Sequence, residues 1–410
     1  MSGPGVGEPS VDVAVVGAGI LGLATARALV RAAPGLRVAV LDKEHRIGAH
    51  QTGRSSGVVH SGVYYAPGSL KAELCVRGAR ELQAFCEERR IPFERCGKLI
   101  VAVEPAELPR LEELRRRAAA NGVAGAELVG PERLRELEPH AAGVRALHVP
   151  STAITDFALV AQAYADDVVA AGGAVLLGRE VVGLERRGGK TLVRTSGGDV
   201  EARGVVACAG VHADRVARLC GGSPEPRIVP FRGDYLVLRP ERRSLVRGLV
   251  YPVPDPAFPF LGVHTTLRLD GDVWLGPNAV LAFGREAYGR FQLDARDLLD
   301  ALRASGFRRL ARRHWRTGTA ELLRDYSRRL FVASARRLLP ELSPSDVLPG
   351  PSGIRAQALA SDGTLVDDFV FERQEGVLHV RNAPSPGATS SLPIGARIAR
   401  TAIEAFGLGR

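Results

Sequence analysis

No apolar stretch in this sequence reaches the roughly 18 residues that a membrane-spanning helix needs, and the opening MSGPGVGEPS lacks a basic segment followed by an apolar one. Neither a spanning helix nor a secretory signal is expected, and the chain reads as cytoplasmic. None of the five cysteines (Cys75, Cys86, Cys96, Cys208, Cys220) belongs to a C-x-x-C pair, so neither a zinc knuckle nor a redox dithiol is suggested, and no metal site is expected. The formal net charge is +10, yet no run of five or six basic residues occurs and few aromatics stand among the arginines. A nucleic-acid groove needs both, so nucleic acid is not expected as a partner. Only four of the 55 basic residues are lysine, which reads as a composition bias, and the positive surplus suits a small acidic substrate. Internal repeats and low-complexity tracts are also missing.

With 45% hydrophobic and 24% charged residues over 410 positions, the chain is globular and long enough for two domains, or for one domain split by a second. Its most informative unit is VDVAVVGAGILGLATARALVRAAPGLRVAVLDKE. Val11 to Val16 reads as a buried strand, Ile20 to Ala32 as an amphipathic helix and Leu36 to Leu41 as a second strand, which makes a βαβ unit. Gly17, Gly19 and Gly22 stand in G-x-G-x-x-G spacing at the first strand-to-helix turn. The first makes the turn, the second lets backbone amides approach a pyrophosphate, and the third lets helix and strand pack closely. Asp42 ends the second strand where a carboxylate can accept hydrogen bonds from an adenosine ribose. Ile20, Leu21 and Lys43, their neighbours, are counted with this dinucleotide site.

Beyond this unit helices and strands mix irregularly. Strand-like segments are Cys96 to Val103, Ala174 to Leu177, Val181 to Arg186, Thr191 to Thr195 and VEARGVVACAG, whose small residues Ala209 and Gly210 would let backbone pass near a ligand. Helices are expected over Glu107 to Asn121, Pro131 to Leu137 and Asp156 to Ala171. Arg227 to Ala282 reads as short strands around the proline-rich YPVPDPAFPF, and Leu293 to Leu339 as arginine-rich helices. Further strands lie near Ile354, Val366 and Val380, and Ser390 and Ser391 stand where a last helix begins.

Seven stretches carry a resemblance: HQTGRSSGVVHSGVYYAPGSLKAELCVRGA, CGKLIVAV, PFRGDYLVL, YPVPDPAFPFLGVHTT, GPNAVLAF, GPSGIRAQAL and NAPSPGATSSLPIG. In order, over nearly the whole chain, they resemble the L-2-hydroxyglutarate oxidase or dehydrogenase family of the D-amino acid oxidase and sarcosine oxidase superfamily. The resemblance implies FAD rather than NAD. It implies an α/β (mixed α+β) fold, with a Rossmann-like FAD-binding domain over 1–90, 145–225 and 345–410 and an antiparallel-sheet substrate domain over 91–144 and 226–344. Along the flavin it implies Thr52, Ser55, Ser56, Gly57 and His60, whose small and hydroxylic side chains suit a polyol. Val181, Thr389, Ser390, Ser391 and Leu392 join the cofactor set.

Such enzymes oxidise an alcohol beside a carboxylate, which requires a base for the hydroxyl proton and cations or hydroxyls for the carboxylates. His264, closing the apolar PFLGV, and His60 are the candidate bases. Arg355 in GIRAQ matches the position of a carboxylate-binding arginine, with Arg232, Tyr64 and Tyr65 as further clamp members. The reaction implied is oxidation of L-2-hydroxyglutarate to 2-oxoglutarate, with oxygen or quinone reoxidising the flavin. The same machinery acting on another 2-hydroxy acid, an amino acid or an amine, and a dinucleotide-binding module without turnover, are the other readings. The helices over Leu293 to Leu339, with Trp315, allow a weak peripheral membrane contact, and oligomeric state is not fixed.

Overall fold

A computed structural model describes residues 10–255 and 262–409; the first nine residues, residue 410 and 256–261, which hold half of YPVPDPAFPF and part of PFLGV, lie outside the described residues. The first strand forms over Ser10–Val16 and its last four residues are buried, as a strand covered on both faces requires. It pairs in parallel with Val38–Leu41 on one side and with Val200–Ala207 on the other. Ala174–Leu176 extends the parallel set beyond Val38–Leu41. Val200–Ala207 meets Lys190–Thr195 along its first half and Val377–Asn382 along its second, so the eight-stranded sheet forks there.

The first helix, Ile20–Ala32, packs closely on the last, Ser391–Phe406. A Cβ at Gly395 would come within 2.6 Å of the Ala24 backbone, so only glycine allows this approach. Leu23, Leu29, Ile394, Ile398 and Ala402 fill the seam. The sequence reading did not identify Leu70–Arg89, a 20-residue helix that opens on Ser69, whose hydroxyl accepts from the Ala72 amide. Its Gly78 lies against the Thr389 and Ser390 backbone and anchors both segments beside the first sheet.

Where short strands were expected, one 12-residue strand runs over Arg227–Leu238 and pairs along its length with the 13-residue Val347–Leu359. Gly233 is the point where Pro277 and Asn278 press on the strand. His264–Leu267, Val273–Gly276 and Val280–Leu281 complete this antiparallel sheet, so the segment 345–410 contributes strands to both large sheets. No strand forms at Val366; the chain there turns back toward Val370–Gln374. A third sheet joins Lys98–Ala102 to Leu249–Pro252, Arg145–Val149 and Glu127–Val129. Helices Ala295–Arg303, Ser305–Arg313, Trp315–Tyr326 and Arg328–Ala335 form the arginine-rich segment.

Candidate active site

The three glycines of the first turn have different neighbours. Gly17 has φ +106° and a Cβ there would meet the Cys208 carbonyl, while a Cβ on Gly22 would fall 1.9 Å from the Gly17 carbonyl. Both are therefore required by the protein's own packing. A Cβ on Gly19 would meet only the Thr52 hydroxyl, at 3.6 Å, and that side of the turn opens into a cleft of about 1710 Å³. Gly19 precedes the first helix without a side-chain cap, and the Thr52 hydroxyl accepts from the Ile20 amide at 3.0 Å. The turn thus offers amides and a helix N-terminus to an anion.

Asp42 braces the same turn. One carboxylate oxygen accepts from the Ala18 amide at 2.6 Å and the other from the Glu44 amide at 2.8 Å, which leaves lone pairs for a ribose. Lys43 turns aside to bond Glu44 and Glu286, the latter at 2.7 Å. Bonds from His212 and Lys43 hold the Glu286 carboxyl down at about 2 despite its partial burial.

The cleft then follows the segment 55–65, which neighbouring side chains hold in place. Arg268 donates to the carbonyls of Ser55 and Ser56, and a Cβ on Gly57, at φ +78°, would strike both that guanidinium and the Thr155 carbonyl. Asn121 donates to the carbonyls of Gly62 and Tyr65 at 3.0 and 2.9 Å, and Arg117 to that of Tyr64 at 3.1 Å. The His60 amide donates to the Thr389 hydroxyl at 3.1 Å, joining the segment to the turn before the last helix. Along this wall the buried His60 Nδ1 and Tyr64 hydroxyl have no protein partner, nor do the Ser61 and Ser390 hydroxyls set back behind it. Such groups suit a polar ligand, so the glycine turn and this wall together fit FAD.

His264 stands at the far end. Its Nδ1 lies 2.8 Å from the Gly262 carbonyl and so carries the proton, which leaves Nε2 as the basic atom. The ring stacks on Tyr251 with centroids 3.8 Å apart. Burial lowers its pKa to about 3, the Gly262 bond opposes this, and the charges of Lys98 and Arg355 add to the lowering. His60 is lowered to about 3 by burial, then by Lys98 and His264. Both imidazoles are therefore neutral at pH 7.

The cleft gathers most of the residues expected from the sequence: Gly17, Gly19, Ile20, Leu21, Asp42, Lys43, Thr52, Ser55, Ser56, His60, Tyr64, Tyr65, Val181, Ala209, Gly210, His264, Arg355 and Thr389. Gly22 and Gly57 serve packing behind it. Ser390, Ser391 and Leu392 stand back from the lining, Ser391 sharing a hydrogen bond with Tyr164 at 3.2 Å. Arg232 needs a correction, because its guanidinium is not on the cleft. It is bonded to Asp234 at 3.0 Å, Asp325 at 2.8 Å and the Gly289 carbonyl at 3.2 Å.

Sequence reasoning missed Lys98, Tyr251, Tyr235 and Arg268. Only Lys98 left a signal, as a charge opening the otherwise apolar KLIVA, and that strand is buried throughout.

A profile of the FAD dependent oxidoreductase family matches residues 12–401. The chain is 47% identical to "L-2-hydroxyglutarate dehydrogenase, mitochondrial" of Bos taurus, over 97% of this chain and 90% of that one. It is 48% identical to the enzyme of the same name from Nematostella vectensis, over 97% and 91%. With "L-2-hydroxyglutarate dehydrogenase" of Indibacter alkaliphilus it shares 44%, over 96% and 99%. Among solved structures, L-alpha-glycerophosphate oxidase from Mycoplasma pneumoniae with FAD bound shares the fold with a TM-score of 0.78 at 22% identity, over 97% of this chain and 95% of that one. Glycine oxidase from Geobacillus kaustophilus does so at 0.71 and 18%, over 98% and 96%.

These relatives overturn the expected cytoplasmic location, since those from Bos taurus and Nematostella vectensis are mitochondrial by name and point away from it. No helix among the described residues is long and apolar enough to cross a membrane. The chain belongs to the FAD dependent oxidoreductase family and, within it, to the group of the L-2-hydroxyglutarate dehydrogenases.

Proposed function

We propose that this protein oxidises L-2-hydroxyglutarate to 2-oxoglutarate, with His264 as the base and Arg355 as a carboxylate clamp. The observation that carries the reading is the tautomer of His264, whose Nδ1 proton is committed to the Gly262 carbonyl in a cleft that Arg355 also lines. FAD, when bound, supplies the hydride acceptor. Nε2 of His264 takes the hydroxyl proton, and its neutral resting state leaves it able to do so at pH 7. Arg355 binds a carboxylate bidentately and fixes the substrate's orientation. Tyr64 and Tyr65 border the same pocket, and their hydroxyls, kept protonated by burial, are donors to it. His60 is a cofactor contact in this reading, because its amide is fixed by Thr389 and it lies within the serine-rich wall.

The cofactor is assigned to 1–90, 145–225 and 345–410 and the substrate to 91–144 and 226–344, with Val347–Leu359 carrying Arg355 into the second sheet. Oxygen or a quinone removes the electrons. Exposed Phe291, Leu293, Trp315 and Leu323 among arginines support a weak lipid contact through which a quinone is reached.

The test is anaerobic stopped-flow bleaching of the flavin by L-2-hydroxyglutarate, with its D-enantiomer, lactate, glycine and sarcosine in parallel. Fast bleaching by the L-diacid alone is expected. Faster bleaching by lactate or by an amine would replace the substrate, and a flavin that none of them bleaches would remove the reaction.

A further inference from the structure

Lys98 opens the strand Lys98–Ala102, all five of whose residues are buried, and is itself 2% exposed. An ammonium in such a place is costly unless a partner offsets its lost hydration. No carboxylate of the described residues pairs with it; the ionisable neighbours acting on its charge are the thiols of Cys75 and Cys96. Two aromatic faces meet it instead, Tyr251 at 4.1 Å from the ring centroid and Tyr64 at 5.2 Å.

Both rings line the cleft, and Lys98 stands behind them rather than on the lining itself. The register explains the Tyr251 contact: Tyr251 pairs with Ile100, two residues from Lys98 and on the same face of the sheet. Tyr251 carries His264 stacked on it, so the ammonium stands directly behind the candidate base. Arg355 lines the cleft beside His264, and the charges of Lys98 and Arg355 both act on that imidazole.

A dicarboxylate brings two negative charges to this place, and Arg355 accounts for one. We propose that Lys98 is the cation that receives the second carboxylate and makes the site select diacids over monoacids. This rests on the hydroxy-acid reading above and extends it to substrate length. It also explains why the buried charge persists, because the substrate completes a pair that the protein leaves open. Tyr64 and Tyr251 position the ammonium and admit the carboxylate between them.

Among the groups around Lys98, only the lysine titrates near neutrality, since burial lowers it to about 8. His60 and His264 lie near 3, Cys75 and Cys96 near 12, and burial raises Tyr64 and Tyr251. Arg355 keeps its charge throughout.

The experiment compares anaerobic flavin reduction by L-2-hydroxyglutarate and by L-2-hydroxypentanoate, of equal chain length but without the distal carboxylate, from pH 6 to 10. In the wild-type holoenzyme, kcat/KM for the diacid falls above about pH 8 while that for the monoacid stays flat. K98M raises KM for the diacid about 10- to 100-fold more than it does for the monoacid, the size of a lost charged hydrogen bond, since any effect of the lost charge on His264 is common to both acids. K98R restores diacid preference and moves the alkaline limb beyond pH 10. Should K98M fail to load flavin, the wild-type pH profiles decide the matter unaided. Equal pH profiles for the two acids, or a loaded K98M with an unchanged diacid-to-monoacid ratio, overturn the role of Lys98 and leave the reaction standing. A wild-type flavin reduced by neither acid overturns the reaction itself, and the role of Lys98 with it.

Discussion

Arg232 and Arg355 stand on neighbouring strands of one sheet, one step apart in register. Arg232 lies opposite Ile354, and Arg355 opposite Phe231. Because side chains alternate along a strand, that single step sends the two arginines to opposite faces. Arg232, 3% exposed, meets Asp234 and Asp325, and Asn278 links the two residues by accepting from the Asp234 backbone amide and donating to the Asp325 carboxylate. Arg355 meets the cleft that His264 and Tyr251 also line. The first charge is neutralised by the protein and holds the sheet to the helix Trp315–Tyr326; the second is placed where a ligand can reach it. A buried cation is thus a site candidate only after its partners are known.

Removing each cation should break the comparison in opposite ways. Arg232→Ala takes the buried cation from two carboxylates and leaves them only the more exposed Arg290, 3.2 Å from Asp234 and 3.7 Å from Asp325, so a loss of up to about 3–5 kcal/mol in stability is expected. Urea unfolding of the flavin-loaded protein measures it, and a change below 1 kcal/mol would mean that the network is not structural. His264→Ala should keep its flavin but reduce it about 10²- to 10⁴-fold more slowly, the usual size of a general-base contribution. Equal losses in His60→Ala and His264→Ala would leave the base unassigned. Arg355→Ala comes next, with KM raised about 10- to 100-fold and a smaller loss of stability than Arg232→Ala. If it melts like Arg232→Ala, the two arginines are alike and the comparison fails.

What the sequence made legible follows from how local each signal is. The first βαβ unit was readable because its strand, turn and helix fix one another within about thirty residues, and the helix expected over Ile20 to Ala32 forms over those residues. Arg232 could not be separated from Arg355 by sequence, since the register joining strands more than a hundred residues apart lies in no local pattern. The role of Gly233 is hidden for a related reason: it admits Pro277 and Asn278, more than forty residues away. Arg268 was hidden among many arginines until its bonds to the Ser55 and Ser56 carbonyls were seen. Lys98 was visible as an odd charge, but its meaning depends on Tyr64 and Tyr251, which arrive from two other parts of the chain. Leu70–Arg89 went unread because its sequence mixes charges around most of the helix, and its helical face is defined by the Thr389–Ser390 backbone packed on Gly78.

The smallest effect expected concerns proton balance, where the two kinds of buried site again differ in sign. Asp234, beside Asp325, is raised to about 6 by burial and by that second carboxylate. Its folded value exceeds its ordinary 3.8, so the folded state binds the extra proton and gains stability as pH falls from 6 toward 3.8. His379, 1% exposed and 3.4 Å from the Cys220 sulfur, is lowered to about 4, chiefly by burial, with Glu372 opposing and Arg381 reinforcing. Above pH 6.5 this histidine is neutral in both states and its contribution is complete. Below 6.5 the unfolded chain takes a proton that the folded chain refuses, so stability is lost progressively down to about pH 4. Urea unfolding at pH 7 and pH 5 should therefore show His379→Asn losing about 1–2 kcal/mol less than the parent over that interval. A parent whose pH dependence matches that of His379→Asn would show that His379 is protonated in the folded protein, and that the seam between Cys220 and Arg381 accommodates charge as the Arg232 network does.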